Sequence, residues 1–423
     1  MANNIDEYSD SYSININLED DQDNMRKRFF EKGLSALLAD PYFLLLYVPE
    51  NGAKMQIIRP ATNAYHRKRM IKRINEAKGI PSFYYTLSHI WGLSKDNRHH
   101  WSDISEYVDD ENGQPVKPVS MRPEKRDTLL SLLKDHPDSY WWIDVLCART
   151  DTPLDIMGDI YSCCLECIAM IDGETTLIPQ LHSLMVAVRK EFPTYYNMSY
   201  DEVLDRKQDD KRLAHVTELL FTLMKSQWWK RVWTWQEMAL PFGDVRLMAE
   251  TGTHQSLSNT ITVDDLLDYF HPNFRLEYIA PALNNVDSES GLINAMALHA
   301  WLSEIFNARS SSKRRIGKKS AQEFSYLMVS LGDSPRRCMN PVDYVYGVLG
   351  IFQLKIPRMN DPNAVWRLFL SELDNYMETT GIKNEVLGTG ERITGISDRA
   401  YRIDLQKATD MSDVFINHFL VTS

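Results

Sequence analysis

The sequence is poor in cysteine, with five in 423 residues. That excludes a disulfide-stapled secreted scaffold and suits a reducing compartment. Long apolar runs are missing too: Tyr42 to Val48 falls far short of the roughly 20 residues that a membrane-crossing helix needs. The opening of the chain lacks a basic leader, because Asp6, Glu7, Asp10, Glu19, Asp20 and Asp21 stand where a signal peptide carries positive charge. A cytoplasmic protein without a membrane span is expected. Basic charge is also in deficit: 47 Lys and Arg against 58 Asp and Glu give a net charge of −11. This is the wrong sign for neutralising phosphates, so no nucleic-acid partner is expected.

Several chemical signatures are absent as well. Neither common Gly-rich phosphate loop occurs, nor does a Gly-x-Ser-x-Gly nucleophile elbow. Cys163, Cys164 and Cys167 have no second Cys or His pair at ligand spacing, so buried thiols are expected rather than a metal site. The His99-His100 pair lies in a polar stretch that reads as solvent-facing. Neither a metal nor a bound cofactor is expected.

What remains is an ordinary globular composition, 43% hydrophobic and 25% charged, with ten Trp, twenty Tyr and fifteen Phe for an aromatic interior. Residues 1–25 are polar and acidic and read as a disordered tail. Residues 26–80 form an N-terminal helical and strand segment, with a helix over Asn24 to Leu38 and apolar runs at Tyr42–Val48 and Met55–Ile58. The basic stretch Ala64 to Ala77 (His66, Arg67, Lys68, Arg69, Lys72, Arg73) reads as a helix with a solvated face. From Pro81 a strand–helix alternation begins: strands at Ser82–Ile90, Tyr140–Leu146 and Cys167–Ile171, and helices at Pro123–Lys134 and Leu154–Cys164. This is the pattern of an α/β unit, a parallel sheet flanked by helices, assigned to 81–255. Helical segments at Leu177–Glu191, Tyr200–Met224 and Trp228–Leu240 close it, and a mostly helical C-terminal region follows over 256–423. Within that region Arg309–Lys319 reads as an exposed loop and Ala364–Thr379 as an amphipathic helix.

In an open parallel sheet, ligands bind beyond the carboxyl ends of the strands. The first strand runs out at Ser88-His89-Ile90-Trp91-Gly92, and the second at Asp144-Val145-Leu146-Cys147. A third candidate element is Arg231-Val232-Trp233-Thr234-Trp235-Gln236-Glu237. On a helix its Trp233 and Glu237 share a face, with Trp229 a turn earlier. A carboxylate beside an indole is partly desolvated, which raises its pKa and strengthens the field it offers a developing cation.

Taken in register, these motifs resemble the fungal heterokaryon-incompatibility (HET) domain. Phe83 through Gly92 is similar to its "ALSYVWG" opening, Trp142-Ile143-Asp144-Val145-Leu146-Cys147 to "WID-x-LC", and Met157-Gly158-Asp159-Ile160-Tyr161 to "M-x-x-I-Y". Arg231 through Glu237 is similar to "R-x-W-x-x-QE". Arg336, followed by Asp343 through Gly350, resembles the downstream "R…DPRDKVYALLG". The chain departs from the family after "LC", where "INQ" gives way to Ala148-Arg149-Thr150.

The resemblance implies a TIR-like, flavodoxin-like sheet and a role in non-self recognition and programmed cell death. It implies NAD⁺ as a substrate cleaved at the nicotinamide–ribose bond, with Glu237 as the catalytic carboxylate. Ser88, Trp91, Gly92, Asp144, Arg231 and Trp233 would bind that substrate. The alternative it leaves open is a non-catalytic module that signals by self-association, with or without a regulatory protein partner.

Overall fold

The computed structural model describes residues 13–16, 23–91, 100–191, 211–252, 260–270, 288–313, 320–387, 390–416 and 419–422. The expected acidic tail falls almost wholly outside them, as do Gly92, His99 and most of the Tyr200–Lys211 stretch.

Among the described residues twelve strands are numbered in chain order: β1 Leu45–Val48, β2 Met55–Ile58, β3 Tyr84–His89, β4 His100–Trp101, β5 Val108–Asp109 and β6 Val119–Ser120, then β7 Ser139–Ile143, β8 Glu166–Ile171, β9 Val245–Ala249, β10 Ile261–Thr262, β11 Arg392–Ile396 and β12 Phe419–Thr422. Eight form one sheet in the order β10-β9-β8-β3-β7-β1-β2-β5. Its centre, β9, β8, β3 and β7, is parallel, while β1 turns antiparallel against β7. Nearly every side chain of β7 and β8 is buried, as parallel strands covered on both faces require. The fold is therefore the mixed α/β architecture that the alternation implied, with helices on the sheet and a helical C-terminal region.

Two details of order position the site. The chain leaves β3 for β7 through the Pro123–Lys134 helix, whose Pro123 occupies the first helical turn. It then crosses back over β3 to reach β8 through the Ile156–Ser162 helix. The strand order thus reverses at β3, and the crevice beyond its carboxyl end is where α/β sheets accept ligands. In addition, the runs around Leu45 and Met55 join this same sheet through the β1–β7 pairing of Leu46 with Trp141.

The structure corrects several expectations. The second strand stops at Ile143, and Asp144 opens a short helix, Asp144–Cys147. Trp228–Leu240 is not one helix but a 3₁₀ turn, Gln227–Lys230, followed by the helix Trp233–Ala239. The break arises because backbone at 230–232 pairs with a distant segment: Val232 N–H donates to Arg337 O at 3.0 Å, and Arg337 N–H to Lys230 O at 2.7 Å. Trp229 accordingly does not share the helix of Glu237. Arg309 is not in an exposed loop either. The helix Ser288–Lys313 runs through it, and its buried guanidinium is paired to Asp264; 314–319 lie outside the described residues. The basic helix is Ala64–Glu76, and its face is only partly solvated, since Arg69 and Arg73 both converge on Asp138. No helix among the described residues is long and apolar enough to cross a membrane.

Candidate functional site

Three parallel strands other than β3 end in a carboxylate. Asp144 follows β7, Asp172 follows β8 and Glu250 follows β9, while β3 itself delivers Ser88 and His89. Each side chain leaves its strand on the rim of the sheet, where the pairing ends and a polar group can turn toward the crevice. The helix Trp233–Ala239 lies across this rim and lowers Glu237 into it. Ser88, 1% exposed, donates its hydroxyl proton to Glu237 Oε2, and the carboxylate itself is 7% exposed. The two residues are 149 positions apart in the chain. Trp228 completes the contact, its indole N–H donating to Ser88 Oγ at 2.7 Å. Accepting from the indole leaves the serine proton available to the ionised carboxylate. The Tyr161 hydroxyl, from the Ile156–Ser162 helix, also hydrogen-bonds Glu237.

A second cluster stands beside the first. Trp91, 41% exposed, donates its indole N–H to Asp144 Oδ2, and His89 Nε2 lies 3.0 Å from Asp144 Oδ1. Arg231 holds the strand end from the other side, its guanidinium donating to the His89 carbonyl at 3.1 Å. The Ile90 carbonyl accepts from Lys125, a fully buried ammonium that also pairs with Glu250 at 2.8 Å. Two basic side chains, Arg231 and Lys125, therefore grip consecutive carbonyls where β3 runs out, which fixes the backbone carrying Ser88 and Trp91.

The electrostatics divide the two carboxylates. Burial pushes Glu237 up to about 7, with Asp144 adding to the push, although Ser88, Arg231 and Tyr161 favour its ionised form. Burial also acts upward on Asp144, but His89, Trp91 and Arg231 together outweigh it and hold the group below its ordinary value. Lys125 is lowered to about 7, chiefly by burial and then by Arg122 and Arg231. Tyr161 is driven well above its usual range by burial and by the two carboxylates, so it stays a neutral donor.

Of the seven residues expected at the site, Ser88, Trp91, Asp144, Arg231 and Glu237 meet at this rim. Gly92 lies outside the described residues. Trp233 is on the same helix as Glu237, but its indole hydrogen-bonds Asp343 of the C-terminal region. The indole that serves the carboxylate is Trp228, which sequence reasoning left in an undivided tryptophan run. Asp172 was also missed. It caps the 3₁₀ turn, accepting from the backbone N–H of Gln227 at 3.0 Å and of Trp228 at 3.1 Å. Its position immediately after a parallel strand is the same signal that pointed to Asp144. The divergent Ala148-Arg149-Thr150 loop is pinned rather than open: Arg149 donates to Leu146 O at 2.6 Å and pairs with Glu111 at 3.2 Å. Among the described residues no group of three or more His, Cys, Asp or Glu is placed to hold a metal. Cys147, Cys163, Cys164 and Cys167 are buried thiols.

A hydroxyl, an indole and a raised carboxylate thus meet where the strand order of a mixed α/β sheet reverses. Residues 84–237, from the first residue of β3 to Glu237, match the family model of the heterokaryon incompatibility protein (HET). No curated protein and no solved structure matches the chain. The HET domain points to a heterokaryon-incompatibility type of function.

Proposed function

We propose that the protein is a HET-type regulator of non-self recognition and programmed cell death that acts in the cytoplasm by cleaving NAD⁺ at the nicotinamide–ribose bond. The observation that carries this reading is the buried Ser88–Glu237 hydrogen bond, completed by the Trp228 indole. A glycosidic bond to a cationic pyridinium breaks with its electron pair passing to the ring nitrogen, which leaves an oxocarbenium-like ribose. A carboxylate in a desolvated setting stabilises that cation more strongly than one in water. Glu237, once ionised, supplies the charge, and Ser88 fixes its orientation. Water then attacks the anomeric carbon and its proton passes to the carboxylate or to solvent. Arg231 orients the pyrophosphate, and Trp91, exposed at the mouth, offers a ring for the nicotinamide or ribose to stack on.

The test is nicotinamide release from NAD⁺ by the purified full chain, measured over a rising series of protein concentrations. TIR-like sites of the kind the resemblance implies are completed by assembly, so release should increase more than in proportion to concentration. Release that Glu237→Gln abolishes supports the reading; no release at any concentration removes it. The second reading, a non-catalytic module that signals by self-association or through a regulatory partner, is favoured by one feature. Glu237 is nearly enclosed, and Trp91 is already engaged by Asp144. On that reading Glu237→Gln leaves assembly and signalling unchanged.

A further inference from the structure

The contacts that hold the Glu237 helix come largely from outside the segment that matches the HET family. Arg336, 1% exposed, donates to Thr234 Oγ1 at 2.7 Å and to the Arg231 carbonyl at 3.3 Å, on the first turn of that helix. Its other partner is Glu304, 4% exposed, on the Ser288–Lys313 helix, with the guanidinium Nε 3.4 Å from Oε1. At the far end of the same helix Arg309 donates to the carbonyls of Met238, Pro241 and Gly243 at 3.1, 3.0 and 2.8 Å. Both ends are thus gripped by buried guanidinium forks. A fork suits this task because its several N–H groups leave in fixed directions, so one side chain can fix several acceptors relative to each other.

The Arg336 contact does more than brace a helix. Thr234 Oγ1, which accepts from Arg336, lies 2.5 Å from the carbonyl oxygen of Trp228 and 2.8 Å from that of Arg231, so its one proton is shared between these two acceptors. Trp228 then donates its indole N–H to Ser88, and Ser88 donates to Glu237. A continuous series of buried polar contacts therefore runs from Glu304 through Arg336, Thr234, Trp228 and Ser88 to Glu237. The guanidinium also lies over the Trp229 ring, 5.9 Å from its centroid, beside the same turn. Without the Thr234 hydroxyl the 3₁₀ turn would keep its Asp172 cap and the Arg337 N–H bond to Lys230 O, but the Trp228 carbonyl would lose its side-chain donor. The Trp228 backbone, and with it the angle at which the buried indole meets Ser88, would then be less firmly fixed.

We infer that Arg336 is a positioning residue for the Ser88–Glu237 site, acting through Thr234 and Trp228, so that the helical region beyond the HET segment sets the geometry of the carboxylate. The activity consequence rests on the proposed cleavage of NAD⁺; the geometric consequence does not.

The experiment uses the full chain carrying ¹⁵N-labelled tryptophan, with the Trp228 indole resonance assigned from its loss in Trp228→Phe. Two variants are compared, Arg336→Lys and Thr234→Val. The first keeps the charge beside Glu304 and removes the fork. The second leaves the ion pair intact and removes only the hydroxyl, so it guards against simple loss of folding. Both are expected to shift the Trp228 indole resonance and speed its hydrogen exchange, while the indole signals of Trp101 and Trp366 stay in place. Both are also expected to lower nicotinamide release roughly ten- to a hundredfold through kcat, with KM little changed. Because one path serves both, the double variant should lose no more than the worse single variant. An unmoved Trp228 resonance in Thr234→Val, or losses that simply multiply in the double variant, would overturn the assignment. If the unaltered protein releases no nicotinamide, the enzymatic reading fails, and the indole resonance still decides whether Arg336 positions the site.

Discussion

The end of β7 and the helix Trp233–Ala239 bring one carboxylate each to the same rim, yet they treat them in opposite ways. Asp144 stands beside a histidine, an indole donor and Arg231, and these hold it ionised against the cost of burial. Glu237 has a serine and a tyrosine as donors and a more distant arginine, and there burial wins. Environments that push two acids apart separate a permanently charged group from one that changes charge near neutral pH. On the proposed reading, Asp144 holds Trp91 and His89, and Glu237 carries the chemistry. It also gives the two regions opposite pH sensitivities. Because the Asp144 value is depressed, its contribution to stability is present above its unfolded value and is lost as pH falls through the folded one. Because the Glu237 value is raised, its contribution is complete below the unfolded value of about 4.5 and is lost as pH rises through about 7.

The sharpest way to break the contrast is Glu237→Gln. Nicotinamide release should fall by about 10²–10³-fold, the loss typical of removing a group aimed at transition-state charge. The folded state should not suffer. Relative to the unaltered protein, the variant should gain stability between pH 5 and 8, by roughly 3 kcal/mol once the carboxyl of the parent is fully ionised. Urea unfolding at several pH values reads this directly, and a constant difference across that range would contradict the assignment.

Ser88→Ala comes next. It removes the donor to Glu237 and leaves the Trp228 indole N–H buried without an acceptor, a cost of about 1–3 kcal/mol. The pH at which release turns on should move to higher values, since the serine favours the ionised carboxylate. A pH–rate profile superimposable on that of the parent would show that the hydroxyl is not coupled to it.

A comparable effect with a different cause is expected from Gly158→Ala. A Cβ there would lie 2.4 Å from the Gly350 Cα, where the Ile156–Ser162 and Leu349–Phe352 helices touch backbone to backbone. Overpacking of this kind costs about 1–3 kcal/mol in a thermal or urea melt. It would loosen Tyr161 without touching a charge. Asp144→Asn should have the smallest effect, near 1 kcal/mol, since the amide oxygen still accepts from Trp91 and only the charge facing His89 and Arg231 is lost. Its mark is the disappearance of the stability loss that sets in as pH falls below the ordinary Asp value of 3.8, while the step near 7 remains.

Legibility in the sequence followed periodicity and strand ends. β7 and β8 are apolar nearly throughout, and their flanking helices carry clear apolar faces, so the parallel core could be read directly. Ser88 and Asp144 could be found because a parallel sheet presents ligands at its carboxyl edge, and the HET motifs tied Glu237 to them. The 3₁₀ turn at Gln227–Lys230 could not be found. Its boundary is set by Asp172 and by Arg337, which are long-range partners that local propensity does not see. The same cause misplaced the indole: once the chain breaks at Arg231-Val232, Trp228 rather than Trp233 faces Ser88. Arg309 misled for a related reason, because a polar basic run reads as surface unless its buried acceptors, Asp264 and three carbonyls, are known.

The central claim is that Glu237 is a desolvated carboxylate joined to Ser88, and a titration of that one group tests it. With ¹³C-carboxyl glutamate incorporated into the full chain, the Glu237 signal is identified by its absence from Glu237→Gln. It should titrate near pH 7, and in Ser88→Ala it should move higher still. A Glu237 signal that titrates between pH 4 and 5 with the other glutamates, indifferent to Ser88, would contradict the account.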